Sequence, residues 1–462
     1  MPKRLLLNAF TMNCVSHIVH GLWPHPDTRQ TQYTDLETWV ELAKLLERGK
    51  FDAVFLADVV GVYETYKGGR ETAVREGLQI PVNDPSLLIP AMAYATEHLG
   101  FAFTQSILQE HPYNFARRVS TLDHLTKGRV GWNIVTSYLE GAGRNLGYGG
   151  LPPHTERYAR AEEYVEVLYK LWEGSWEDDA VIADRARKIY ADPSKIHDIN
   201  HVGKYYDVAG PHLSEPSPQR TPFLFQAGSS DSGRNFAARN AEAVFLGALN
   251  PAGAAAQIAD IRSRAQSFGR DPSDIAFFQG LVLIVGSTEA EVARKQAEYQ
   301  EWISYDGFAA HLSGSIGIDL GAIDPDAPIG EVASNGVRGF FKGLIEAEPN
   351  KEWTFRELLE QRVWTQPIAG TPEQVADELQ VWSDAGVDGI NVMYVTTPGT
   401  FADVVDGLVP ELQRRGLAQR EYTPGTLREK VFAGRGPRLN DRHPSAGHRI
   451  TGAKDREQLP VS

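Results

Sequence analysis

Short apolar runs alternate along the chain with longer amphipathic stretches, and the alternation predicts its elements. Residues 5–10 read as a strand, and 35–46 as an amphipathic helix. Residues 53–57 form a short apolar strand ending at Asp58. Residues 86–99 read as a helix capped by Asn83-Asp84-Pro85, and 101–104 as the next strand. Residues 113–125 form a helix stopped by Lys127-Gly128, followed by a strand at 129–135. A helix from about 154 to 172 opens after Pro152-Pro153, with Val165, Leu168 and Trp172 at helical spacing. Strands at 223–226, 243–246, 277–285 and 390–394 bring the count near eight; 371–385 and 401–415 are the last clear helices. Such alternation implies a parallel sheet covered by helices. With polar segments placed where apolar runs meet loops, it predicts an α/β fold, a (β/α)8 TIM barrel.

Two stretches break the rhythm. Residues 174–220 are rich in Asp, Pro and His and carry only weak strand signals. Residues 304–366 contain Gly314, Gly317, Gly321 and the turn-like Asp324-Pro325-Asp326-Ala327-Pro328. Long connections in compact domains are commonly lids or binding loops. Both are therefore expected as insertions on the catalytic face of one barrel domain, residues 1–416. The basic, Gly- and Pro-containing segment 417–462 is a C-terminal extension, expected to wrap a neighbouring subunit or stay mobile.

Composition narrows the class. The chain has 462 residues, longer than the roughly 250 of a plain barrel but within the range reached with insertions. No apolar run approaches the roughly 20 residues that cross a bilayer. The start, Met1-Pro2-Lys3-Arg4-Leu5-Leu6-Leu7, is too short in its apolar part for a secretory signal and lacks a small-residue cleavage site, so it reads as the first strand. Cys14 is alone, which rules out an intrachain disulfide and suits a reducing cytoplasm. A net charge of −14 opposes nucleic acid as a partner.

Several segments can carry chemistry. Gln226-Ala227-Gly228-Ser229-Ser230-Asp231-Ser232-Gly233 follows a strand and opens a helix over 235–240. Small residues there admit an anion to backbone N–H groups at a helix start; the alternative is a plain strand–helix turn. Gly141-Ala142-Gly143 with Gly147 lacks dinucleotide spacing and an acidic partner, and reads as a loop. Asp58, at a strand end, can accept from a ring N–H or a ribityl hydroxyl, or cap the next segment. Asn133 and Ser137 offer polar contacts or internal loop bonds, and Tyr158 reaches a phosphate or packs on the barrel. Cys14, His17 and His20 are spaced like metal ligands, but the His-x-His of a barrel hydrolase is missing from strand one, so no metal is expected. His17 suits general acid–base work because imidazole titrates near neutrality; its alternative is a structural histidine. Cys14 is a nucleophile or a small buried residue. Tyr63, Gln79 and His311 are polar groups in loops.

Taken together, these segments resemble the bacterial luciferase-like flavin monooxygenases. The motifs are Asn8-Ala9-Phe10 through His17, Pro81-Val82-Asn83-Asp84-Pro85, Ser120 through Arg129, Glu156-Arg157-Tyr158 and Glu215 through Pro222, and the similarity runs from about residue 4 to 450. Within the family the chain is similar to the branch of nitrilotriacetate and dibenzothiophene-sulfone monooxygenases, nearest its alkane- and dialkyl-sulfide-oxidising members. The resemblance implies a barrel that binds reduced FMN (FMNH2) from a separate NAD(P)H-dependent flavin reductase. It also implies that O2 oxygenates a small apolar substrate through a flavin peroxide, in a homodimer or homotetramer.

Carried over by motif, Asp58, Thr104, Asn133, Ser137 and Tyr158 would contact FMN. Ala227, Gly228, Ser229 and Ser230 would hold its phosphate end. Cys14, His17, Tyr63, Gln79 and His311 match positions associated with activity, and the insertion at 304–366 would serve as a lid. Tyr138 and residues 317–326 look like the sulfide-oxidising branch, whereas residues 17–23 and His311 look like the alkane-oxidising one. Desulfurising or dehalogenating oxygenation of a xenobiotic is an alternative within the family. A catalytically silent flavin-binding relative and a deazaflavin-dependent dehydrogenase of the same fold are alternatives to it.

Overall fold

The computed structural model of the chain describes residues 4–329, 341, 345, 348, 350–364 and 367–450. Eight strands build its centre: β1 (Leu6–Met12), β2 (Ala53–Ala57), β3 (Gly100–Ser106), β4 (Val130–Val135), β5 (Phe223–Gln226), β6 (Ala243–Leu246), β7 (Ala276–Val285) and β8 (Gly389–Met393). Each pairs in parallel with the next, and β8 pairs in parallel with β1, so the sheet closes as the TIM barrel expected. Asn8 and Asn391, opposite each other at this closure, are joined by a 3.0 Å side-chain hydrogen bond. The interior is filled chiefly by aromatic residues, among them Phe10, Phe55, Phe223, Phe225 and Phe278. It is a packed core and not a pore.

Helices lie outside the ring, and their starts follow local chemistry. Asp35 caps Leu36–Arg48 by accepting from Glu37 N at 3.0 Å. The helix expected over 86–99 is shorter, a turn at Pro85–Leu87 followed by Ile89–Tyr94. The reason lies elsewhere in the chain. The Glu47 carboxylate accepts the N–H groups of Glu97, His98 and Leu99 at 2.9, 2.6 and 3.0 Å. The Arg129 guanidinium takes the carbonyls of Ala93, Thr96 and Leu99. Tertiary partners thus satisfy backbone groups that a longer helix would pair internally. Gly141-Ala142-Gly143, expected as a loop, lies in a short helix, Glu140–Asn145.

The two insertions differ in place. Helices Tyr305–Ile316 and Phe355–Trp364 pack with Tyr63, Tyr66 and Leu78 over the C-terminal ends of the strands, so the described part of the second insertion stands on the face expected; the rest of 304–366 lies outside the described residues. The 174–220 connection, expected there too, enters and leaves at the opposite end. It begins where helix His154–Tyr169 has run back down the barrel and ends at the entry to β5, where Thr221 donates to Glu173 at 2.7 Å. Its two small hairpins wrap the flank, where the Arg160 guanidinium lies over the Tyr205 and Tyr206 rings.

The described part of the C-terminal extension packs on its own barrel rather than leaving for a neighbour. Leu427 enters the bottom of the interior cluster. Arg428, 2% exposed, holds Glu242 through Nε at 2.6 Å and Nη2 at 2.9 Å, and donates to the carbonyls of Thr221 and Pro222. Asp274 receives Arg435 and Arg442, and Glu173 receives Arg438 and Arg449. Among the described residues, no helix is long and apolar enough to cross a membrane.

Removing one partner of a buried ion pair leaves the other charge uncompensated, at a cost of about 3–5 kcal/mol. Arg428→Ala should therefore lower the urea-unfolding midpoint markedly, while Arg435→Ala, whose side chain is 29% exposed, should shift it far less. Equal shifts would show that the buried pair has no special weight.

Candidate active site

The C-terminal ends of the strands surround two adjoining chambers. The larger, about 490 Å³, is built around the turn from β5 into helix Asp231–Asn240. Ser230 caps that helix, its Oγ accepting Gly233 N at 3.1 Å, and Oγ also meets His154 Nε2 at 3.2 Å. The turn can only be this tight with glycine. A Cβ on Gly228 would lie 2.3 Å from Gln226 Nε2 and 2.9 Å from Gly233 Cα, and one on Gly233 would lie 2.7 Å from Tyr158 Oη. The close approach leaves backbone amides and two serine hydroxyls at a helix start, an arrangement suited to an anion. Opposite stands Ser137, at φ +64°. Its hydroxyl donates to Ser106 Oγ at 2.8 Å and its carbonyl accepts from the Arg157 guanidinium. A non-glycine residue persists in that conformation only when its surroundings hold it.

The smaller chamber, about 190 Å³, sits directly over the barrel mouth. Phe10, Met12, Ile18, Phe55 and Phe245 give it apolar walls, and Asp58, Thr104 and Asn133 add polar groups. Asn133 Nδ2 donates to Thr104 Oγ1 at 3.0 Å, whereas its Oδ1 is buried without a partner among the described residues. Such an atom is satisfied by a ligand or by water. Burial, and then the nearby Asp84, push the Asp58 carboxyl up to about 7, against opposing hydrogen bonds from Val59 N–H and the Gln109 amide. The chambers share Asp58, Val59, Val135, Tyr138 and Ala227.

Two histidines face the smaller chamber. His17, from the loop after β1, is 2% exposed, and His311 comes from helix Tyr305–Ile316. The expectation that His17 titrates near neutrality does not hold. Burial, and then the neighbouring His311, push its pKa down to about 3, and burial alone brings His311 to about 4. Both rings are uncharged at neutral pH and can act there only as neutral donors or acceptors. Gln79 lines the same chamber, donates to the His17 carbonyl at 3.0 Å and accepts from Tyr63 Oη at 3.2 Å. Tyr63 also meets the Tyr138 hydroxyl.

Of the residues singled out from the sequence, Asp58, Thr104, Asn133, Ser137, Tyr158 and Ala227 through Ser230 meet in the two chambers, as do His17, Gln79 and His311. Tyr63 and Cys14 lie behind the walls. Cys14 donates weakly to the Ser16 carbonyl at 3.5 Å, and burial pushes its thiol far above the usual range, which leaves it protonated and unreactive. Sequence reasoning missed Gln109, His154 and Arg157. Arg157 lay inside a quoted motif, and Gln109 follows a strand end, the one signal that could have flagged it.

The family description "Luciferase-like monooxygenase" matches residues 15–389. A long-chain alkane monooxygenase of Geobacillus thermodenitrificans (strain NG80-2) is 50% identical over 97% of this chain and 99% of its own. A dimethyl-sulfide monooxygenase of Hyphomicrobium sulfonivorans is 48% identical over 97% of this chain and 94% of its own. A solved riboflavin lyase, described with modified FMN and riboflavin, superposes with a TM-score of 0.88 at 35% identity, covering 97% of this chain and 100% of that one. With its barrel and two-chambered site, this chain belongs to the luciferase-like monooxygenase family of flavin-dependent enzymes.

Proposed function

We propose that the protein takes reduced FMN from a separate NAD(P)H-dependent flavin reductase and uses O2 to oxygenate a small apolar molecule, an alkane or a dialkyl sulfide. We place it in the cytoplasm as a homodimer or homotetramer. The observation that carries the reading is the continuity of a polar, anion-suited chamber with an apolar-walled one across Asp58, Tyr138 and Ala227. A flavin mononucleotide has that same division, a phosphate tail and a flat, largely apolar ring. Ala227, Gly228, Ser229 and Ser230 would hold the phosphate, with Tyr158 beside them. Ser137 would meet the ribityl chain, and Asp58, Thr104 and the unpartnered Asn133 Oδ1 the ring end. When bound, the reduced flavin supplies the electrons and activates oxygen.

The remaining tasks fall to this chain. Phe10, Phe55 and Phe245 exclude water below, and helix Tyr305–Ile316 covers the chamber from above. His17 and His311, held uncharged, would offer ring N–H groups as hydrogen-bond donors in a dry site, where each is stronger than in water. Tyr63 and Gln79 would keep the His17 loop in place through its carbonyl, and Cys14 would fill space behind it. The apolar walls favour an apolar substrate. Relatives of 50% and 48% identity leave alkane and sulfide on nearly equal footing.

The test is a coupled assay with a flavin reductase, NADH, FMN and O2, offering a dialkyl sulfide and alkanes of several lengths, with products read by mass spectrometry. Oxygenated product from either class supports the proposal. Hydrogen peroxide alone would turn the search to desulfurised or dehalogenated xenobiotics, and failure to bind FMN at all would sink it.

Three further outcomes are expected. His17→Ala should lower product formation by about a hundredfold or more, divert reduced flavin and oxygen to hydrogen peroxide, and leave FMN affinity nearly unchanged. Gly228→Ala should weaken FMN binding much more than riboflavin binding, because its Cβ disturbs only the phosphate turn. With Asp58 pushed up to about 7, its carboxyl is neutral below that pH and a charged, stronger hydrogen-bond acceptor above it. Riboflavin affinity, free of the phosphate's own titration, should therefore rise as pH passes upward through about 7. Asp58→Asn should flatten that profile, and a profile that stays sloped in the variant would exclude Asp58 as its source.

A further inference from the structure

A line of hydrogen bonds runs behind the smaller chamber from Ser16 through His20 to His311. Ser16 Oγ lies 2.9 Å from His20 Nδ1, and His20 Nε2 lies 2.8 Å from His311 Nδ1. Ser16 and His20 are both 0% exposed, so solvent offers neither an alternative partner. His20 sits tightly beneath helix Tyr305–Ile316: a Cβ on Gly307 would come within 2.8 Å of His20 Cβ, and the His20 ring packs edge-on against Phe308 at 5.0 Å. Burial holds both imidazoles uncharged, with His20 well below its usual range.

Between two facing ring nitrogens there is room for one proton. If His20 gives it, His20 Nδ1 is left to accept the Ser16 hydroxyl, and Ser16 Oγ, both His20 nitrogens and His311 Nδ1 all have partners. If His311 gives it, His20 Nδ1 must donate to Ser16 Oγ, and no described residue is recorded accepting the Ser16 hydroxyl proton. Leaving a buried hydroxyl unpaired makes that second arrangement the costlier one. In a neutral imidazole, the partner of one nitrogen decides which nitrogen carries the proton. We infer that Ser16 and His20 are positioning residues that fix His311 with its proton on Nε2, so that it presents a hydrogen-bond donor to the smaller chamber. The consequence for turnover rests on the proposed function; the position of the proton does not.

The experiment has two arms. Protein labelled with 15N-histidine is compared by NMR with its His311→Gln variant, which identifies the His311 signals. The expected spectrum shows the proton of His311 on Nε2 in the wild type and a mixture of tautomers in Ser16→Ala. A wild-type proton on Nδ1 overturns the inference, whatever the enzyme oxidises. In the coupled assay, His20→Phe should lower kcat by about tenfold or more with KM and FMN affinity nearly unchanged. His20→Gln, whose amide can still donate towards His311, should recover most of that loss. Unchanged kcat in His20→Phe, or equal loss in both variants, would reduce His20 to packing. Should the wild type oxygenate nothing, the proposed function falls and the NMR result alone judges the tautomer.

Discussion

The pairing of β1 with β8, Leu6 opposite Gly389 through Phe10 opposite Met393, joins the two ends of the barrel sequence by backbone hydrogen bonds. Everything functional depends on that closure. In a closed ring of parallel strands every C-terminal end points the same way, so Asp58, Thr104, Asn133 and Gln226, far apart in the chain, emerge around one space. Below them, phenylalanines from five of the strands fill the ring, and Leu427 stops it from underneath. The smaller chamber has its floor because that aromatic packing reaches Phe10, Phe55 and Phe245 at the rim.

The same packing decides the chemistry of the polar groups it encloses. Burial is the largest cause of every shift that matters here: it keeps His17, His20 and His311 uncharged, lifts Asp58 towards neutrality and silences Cys14. Groups held uncharged can still donate hydrogen bonds, and in a dry site each such bond is stronger than in water. The cover is fastened differently. Asp306, at the start of helix Tyr305–Ile316, accepts from Tyr66 Oη at 2.8 Å and meets Lys67 and Arg75 at 3.2 and 3.1 Å. Both cations are mostly exposed, so those contacts are weak and screened by salt. A closely packed aromatic floor thus faces a cover whose ionic fastening is light.

Periodicity located all eight strands because each is a short apolar run bounded by polar residues, a property its own residues carry. It overran at 86–99, where the helix stops because Glu47 and Arg129 arrive from other elements to take its backbone groups. It also misplaced the 174–220 connection and the C-terminal extension, whose positions are set by pairs such as Arg160 over Tyr205 and Arg428 on Glu242. That Asp58 and Asn133 line one chamber was legible, since the fold alone gives the C-terminal halves of the strands a common direction. Gln109, Arg157 and His20 were not, because each matters through a partner that sequence spacing does not reveal.

By itself, the sequence determined the barrel, the strand ends that line the two chambers, the glycine-serine turn suited to an anion, and the family. These follow from local patterns of apolar and polar residues and from motifs contiguous in the chain. Only the tertiary structure decided which ionisable groups are charged, which side the insertions take, and how His20 and His311 meet across 291 residues. The physical reason is that protonation and hydrogen-bond direction are set by burial and by neighbours in space, and neither exists until the ring has closed.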